Sequence, residues 1–131
     1  MDAQAGSARD WLESTKERGM RLGLETTEQM LARLGDPQAS FPAIHVAGSN
    51  GKGSCCVILA NALSLSGRSC GMFSSPHLCF VEERIRIDGV PITPPSFDAA
   101  LGRVREVALM EPVTLPSYYE ATFLVAMLAF S

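Results

Sequence analysis

The apolar positions change period along the chain, and each change marks an element. Trp11 and Leu12 lie among charged residues between Asp10 and Arg18, the pattern of a short surface helix ended by Gly19. Met30, Leu31 and Leu34 share a helical face up to Gly35, and Thr26 followed by Gln29 is a capping-box pattern at its start. Asp36-Pro37 turns the chain into an apolar run, 43 to 47, that reads as a buried strand. Ser54 to Ser66 reads as a helix closed by Gly67, and Cys70-Gly-Met-Phe73 as a second short strand. From Glu83 to Ile92 the period becomes two. Ile85, Ile87, Val90 and Ile92 surround Asp88-Gly89, a hairpin signal that puts Arg84 and Arg86 on the polar face. Thr93-Pro-Pro-Ser-Phe97 opens a helix in which Phe97, Ala100, Leu101, Val104 and Ala108 keep helical spacing. After a loop bracketed by Pro112 and Pro116, Ser117 and Glu120 form a second capping-box pattern before Ala121 to Phe130, apolar but for Thr122. A helix apolar nearly all round expects cover on more than one side. Strand, helix and strand in succession predict an α/β fold, a mostly parallel sheet flanked by helices, with the hairpin added.

The connection between the first strand and its helix carries the chemistry. It reads Gly48-Ser-Asn-Gly-Lys-Gly-Ser54. Glycines there let the backbone turn and aim successive N–H groups at an anion, and the helix start adds its own free N–H groups and positive dipole end. Lys52 would bridge outer phosphates, and the Ser54 hydroxyl would face the magnesium that accompanies a nucleoside triphosphate. The common phosphate-loop pattern G-x-x-x-x-G-K-[ST] is departed from twice, with Val46 in place of its first glycine and Gly53 in place of its final Ser or Thr. A glycine-rich connection with an incidental lysine is the plain alternative.

Composition narrows the classes. The chain has 131 residues, 47% hydrophobic and 19% charged, with a net charge of −3, so one domain with a core is expected and no electrostatic case exists for nucleic acid. Cys55, Cys56, Cys70 and Cys79 show no C-x-x-C spacing and are expected to be reduced, mostly buried thiols of a cytoplasmic protein. The first residues lack the basic start and apolar run of an export signal, and the longest apolar stretch is too short to span a bilayer. No membrane partner is therefore expected.

Four ordered motifs resemble one family. His45-Val-Ala-Gly-Ser-Asn-Gly-Lys-Gly-Ser54 resembles the nucleotide loop of folylpolyglutamate synthase and dihydrofolate synthase, members of the Mur ligase superfamily, where Thr is usual in place of Ser49. Leu22-Gly-Leu-Glu25, Ser74-Ser-Pro-His-Leu78 with Glu83-Arg-Ile-Arg-Ile-Asp-Gly89, and Ser117-Tyr-Tyr-Glu120 agree in order and spacing. The resemblance runs from about Trp11 to the end. It implies ATP-dependent ligation of L-glutamate to dihydropteroate or to the γ-carboxylate of a folate, through an acyl phosphate, with Mg²⁺ as cofactor and a full-length monomer. ATP would be held by Ser49, Asn50, Gly51, Lys52, Gly53 and Ser54, with Lys52 catalytic. The metal would take Ser54 and Ser75. The pterin would lie against Arg21, Leu22, Ser117, Tyr118, Tyr119 and Glu120.

Each assignment has a plainer reading at this stage. Arg21 and Leu22 fit a connector, Ser75-Pro76 an ordinary turn, Ser117 and Glu120 a helix cap, and Arg84 and Arg86 either solvated strand residues or a grip on a substrate carboxylate. No ligand role follows for His77. The family continues beyond this length with a metal glutamate, a metal histidine, a modified lysine and a second domain. Residues 1 to 131 thus resemble the N-terminal part of its ATP-binding domain, which would be inactive and marginally folded alone. Another Mur-type amide ligase and a non-catalytic nucleotide-binding module are the competing functions.

Overall fold

The computed structural model describes residues 6–19 and 23–131. Five α-helices, α1 (Ala8–Ser14), α2 (Glu25–Arg33), α3 (Lys52–Leu65), α4 (Pro94–Ala108) and α5 (Tyr118–Phe130), accompany three short strands, β1 (Gly71–Phe73), β2 (Ile85–Ile87) and β3 (Val90–Pro91). Single 3₁₀ turns follow α1 (Thr15–Arg18), follow α2 (Pro37–Ser40) and precede β2 (Val81–Arg84). The sheet runs β1-β2-β3 and is antiparallel throughout, with Phe73 opposite Ile85 and Ile87 opposite Val90. Asp88 and Gly89 both take positive φ, 53° and 85°, so the hairpin uses the primed turn that its Asp-Gly pair favours. Asp88 also accepts the Cys70 N–H at 2.8 Å and the Ser69 hydroxyl at 3.1 Å, which ties the hairpin tip to the start of β1.

The expected strand over 43–47 is not formed, and no parallel pair exists among the described residues. A strand exists only through a ladder. The partner of β1 here is the hairpin, which leaves 43–47 with nothing to pair and Ile44 65% exposed. Local caps account for most helix limits. Ser7 caps α1 through the Asp10 N–H, Thr93 caps α4 through the Ser96 N–H, and Ser117 caps α5 through the Glu120 N–H. The Thr26–Gln29 capping box does not form, because α2 already starts at Glu25, and Leu24 before it offers no capping side chain.

The core lies between α4 and α5. Phe97, Leu101 and Val104 of α4 and Leu124 and Val125 of α5 are fully buried, joined by Leu12 of α1, Met30 of α2 and Ile85 of β2. Arg33 of α2 closes the far end by donating to the carbonyls of Val107 and Pro112 at 2.8 and 2.6 Å. Every residue from Ala121 to Phe130 is at least half covered or buried, so α5 finds its cover within this chain and needs no following strand for it. The uncovered apolar helix is α3. None of its residues is buried, its main neighbour is β1, and Ile58 and Leu65 are 68% and 89% exposed. Cys55 and Cys79 are likewise exposed and Cys56 and Cys70 partly so, which corrects the expectation of buried thiols.

Candidate functional site

Gly48 to Ser54 forms an exposed turn into α3. Gly51, at φ 76° and ψ 7°, is the residue before the helix, a left-handed geometry that a side chain would strain. Lys52, Gly53 and Ser54 are the first three helical residues, and the first N–H with a helical acceptor is that of Cys55, bonded to the Gly51 carbonyl at 2.9 Å. Three backbone donors therefore point out of the helix start with no helical acceptor. The stem of Lys52 passes beside Gly48, and no carboxylate among the described residues forms an ion pair with its ammonium. Ser49 and Asn50 lie in the same exposed bend.

The second loop, 74–80, carries Ser75, exposed and followed by a cis bond to Pro76. Residues 83 and 84 hold this loop from both ends. The Ser74 N–H donates to the Arg84 carbonyl at 2.9 Å, and the Glu83 carboxylate accepts the N–H groups of Leu78 at 2.9 Å and Phe80 at 3.1 Å. Those backbone donors, Leu78 first, hold the Glu83 carboxyl below its ordinary range. No hydrogen bond or ion pair joins this loop to 48–54 among the described residues. Ser54 and Ser75 offer hard oxygen donors of the type magnesium takes. The described residues contain no cluster of three acidic, histidine or cysteine side chains to complete such a site.

The third group surrounds the start of α5. Glu120 spends one oxygen on the Ser117 N–H at 2.8 Å and the other on the Thr27 hydroxyl at 3.2 Å, so the capping box is formed and tied to α2. Tyr119 is 54% exposed and meets Phe73 edge-on with centroids 5.6 Å apart. Tyr118 is half-buried beneath two cations, with Lys16 Nζ 4.9 Å and Arg84 Cζ 5.2 Å from its ring centre. Burial pushes its phenol up, and Arg84 and Lys16 act against that shift. Arg84 Nε donates to His77 Nδ1 at 2.9 Å. Arg84 is thus buried rather than a solvated strand residue, while Arg86 remains partly exposed with a 3.4 Å bond to the Gly89 carbonyl. Arg21 and Leu22 lie outside the described residues. The roles of Lys16 and Arg84 escaped the sequence, because each depends on an aromatic ring far along the chain.

No protein-family model matches the sequence. A dihydrofolate synthase/folylpolyglutamate synthase of Bacillus subtilis is 36% identical over 98 residues, 75% of this chain and 23% of that protein. A bifunctional folylpolyglutamate synthase/dihydrofolate synthase solved with Mn, AMPPNP and L-glutamate bound superposes with a TM-score of 0.82 at 31% identity, covering 96% of this chain and 30% of that one. The chain is a relative of the folylpolyglutamate and dihydrofolate synthases. The E. coli protein in complex with DHPP and ADP agrees, with a TM-score of 0.81 and 29% identity over 99% of this chain and 31% of its own. This chain therefore spans less than a third of the length of each of these three proteins. No helix among its described residues is long and apolar enough to cross a membrane.

Proposed function

We propose that this chain is the N-terminal, nucleotide-loop portion of a cytoplasmic, monomeric ATP-dependent ligase. It joins L-glutamate to dihydropteroate or to the γ-carboxylate of a folate. The observation that carries the reading is the glycine turn with Lys52 opening α3, three outward backbone donors and an ammonium without an ion pair among the described residues, in one exposed place. In the reaction a substrate carboxylate oxygen attacks the γ-phosphorus of ATP and ADP leaves. The glutamate amine then attacks the acyl carbon, the amide bond forms, and phosphate departs as the amine sheds its proton.

The residues present supply charge neutralisation and positioning, which is most of what phosphoryl transfer needs. Backbone amides from Asn50 to Gly53, with Ser49 beside them, hold phosphate oxygens. Lys52 balances charge on the transferring group. Magnesium, held in part by Ser54 and Ser75, would neutralise the phosphates. Ser117, Tyr118, Tyr119 and Glu120 form part of the pterin-binding wall, and Arg21 and Leu22 are further pterin contacts. Relatives solved with ADP, AMPPNP, Mn, glutamate or DHPP support these ligand classes. Covering about a quarter of its relatives, the chain alone is expected to be inactive.

The test is an assay of the whole protein that carries this chain, with ATP, Mg²⁺, L-glutamate and either pteroate, folate or a muramyl precursor. Amide product from pteroate or folate is expected. Product from the muramyl precursor alone would point to a different amide ligase, and no product with any acceptor would favour a binding module.

A further inference from the structure

The outer face of the small sheet borders an open groove. Ile85 of β2 is buried in the core, so the alternation along the strand puts Arg86 on the opposite face, in register with Pro91 of β3. There Arg86, Pro91 and Pro94 meet Leu78, Cys79 and Phe80 around a volume of about 590 Å³. Leu78 is 94% exposed and Phe80 69%, apolar surface of the kind that marks an interaction site.

Three charged side chains border the groove, and two of them are spent within the chain. Glu82 is bound to Arg9 at 2.6 Å, and the Glu83 carboxylate accepts the N–H groups of Leu78, Cys79 and Phe80. Asp88, at the hairpin tip, is taken by Ser69 and the Cys70 N–H. Arg86 has a 3.4 Å bond to the Gly89 carbonyl and no ion pair among the described residues. The groove therefore presents one cation without an acid amid apolar side chains. An occupant with apolar side chains and one acidic group complements it. A second copy of this chain does not, because in a two-fold pair the groove would face itself and bring Arg86 no free acid. Pro91 gives the outer edge of β3 no N–H, which disfavours strand addition and leaves side-chain insertion as the mode of contact.

We propose that this groove docks a partner protein, which inserts one or two neighbouring apolar side chains and sets an adjacent aspartate or glutamate against Arg86. Burial of the apolar side chains supplies most of the affinity, and Arg86 selects for the acid beside them. The groove lies outside the nucleotide loop, and its occupant is independent of the ligase reaction.

The test is disulfide capture at Cys79, whose exposed thiol lines the groove. The whole protein that carries this chain is equilibrated, in excess mercaptoethanol, with capped peptides whose terminal cysteine is a mixed disulfide with mercaptoethanol. Capture releases mercaptoethanol as the protein thiolate attacks that disulfide. Peptide mapping by mass spectrometry reads it at Cys79 and, as the reference for unspecific exchange, at the exposed Cys55. A peptide carrying Leu-Leu-Glu should be captured at Cys79 about tenfold better than one carrying Ser-Ser-Glu and about threefold better than one carrying Leu-Leu-Gln, the scales of apolar burial and of a partly exposed ion pair. Arg86→Gln should remove the preference for Glu over Gln and keep that for Leu over Ser. Phe80→Ser, at an exposed side chain, should weaken the preference for Leu with the unfolding midpoint unchanged. Equal capture of all three peptides, or capture of a Leu-Leu-Lys peptide as strong as that of Leu-Leu-Glu, would overturn the proposal. So would a dimer that protects Cys79 and that Phe80→Ser dissociates, since the occupant would then be a second copy.

Discussion

The carboxylate of Glu83 accepts the backbone N–H of Leu78 at 2.9 Å. With the Phe80 N–H at 3.1 Å and the Ser74 N–H on the carbonyl of the neighbouring Arg84, this fixes the loop that carries Ser75. The position of that hydroxyl is therefore set by residues eight and nine places further along the chain.

Glu83→Gln should loosen the loop without unfolding the chain, since an amide oxygen accepts more weakly than a carboxylate. Faster amide hydrogen exchange at Leu78 to Phe80, with α4 and α5 unchanged, is the expected result. Acid should do the same. The Glu83 carboxyl is held below its ordinary value in the folded chain, so its contribution is complete above that value and is lost as pH falls through the folded one. A protection factor at Leu78, corrected for the intrinsic pH dependence of exchange, that changes neither with pH nor with the substitution would remove Glu83 from this role.

Gly71→Ala should destabilise the chain by about 1–3 kcal/mol, the usual range for forcing extra volume into packed surroundings. A Cβ there would lie 2.5 Å from the Phe130 ring, which is itself edge-on to Phe41 at 6.0 Å. Thermal unfolding measures the loss, and an unchanged midpoint would show that the end of α5 does not rest on β1.

Ser117→Ala removes the acceptor of the Glu120 N–H and should cost about 1 kcal/mol by denaturant unfolding. The cap and the proposed pterin wall use the same residues. A stability loss with unchanged pteroate affinity would assign Ser117 to the cap alone.

Turn and cap chemistry could be read from the sequence because it is local. Asp88-Gly89 needs only its own backbone to make the hairpin turn, and Ser117 needs only Glu120. The failures are non-local. Residues 43–47 have a strand's composition but no strand beside them, and the helix start that the pattern puts at Thr26 lies earlier in the backbone. The nearly uniform apolar patterns of α3 and α5 look alike in sequence, but α5 is enclosed by α4, β1 and the turn at Pro37–Ser40, whereas α3 rests mainly on β1. The glycines and Lys52 were legible as a turn that opens a helix, and the phosphate cradle read from them is a proposal. The placing of Arg84 and Lys16 around Tyr118 was not, since no local pattern records a contact between a cation and a distant ring.

The bare face of α3 predicts association. Ile58 and Leu65, with Ile44 on the neighbouring segment, leave apolar surface of the kind that soluble monomers rarely keep open. The isolated chain should bind a hydrophobic dye and sediment as more than a monomer, and Ile58→Glu should reduce both with little change in unfolding midpoint. A monodisperse monomer that binds no dye would show that this face needs no cover.

The central claim is that the turn from Gly48 to Ser54 holds nucleotide phosphates through Lys52, and calorimetric titration of Mg·ATP into the whole protein carrying this chain tests it most directly. The account predicts measurable binding that falls by at least about tenfold in Lys52→Ala, the loss of a charge-assisted contact to phosphate. Equal affinity in both proteins, with equal turnover, would contradict it.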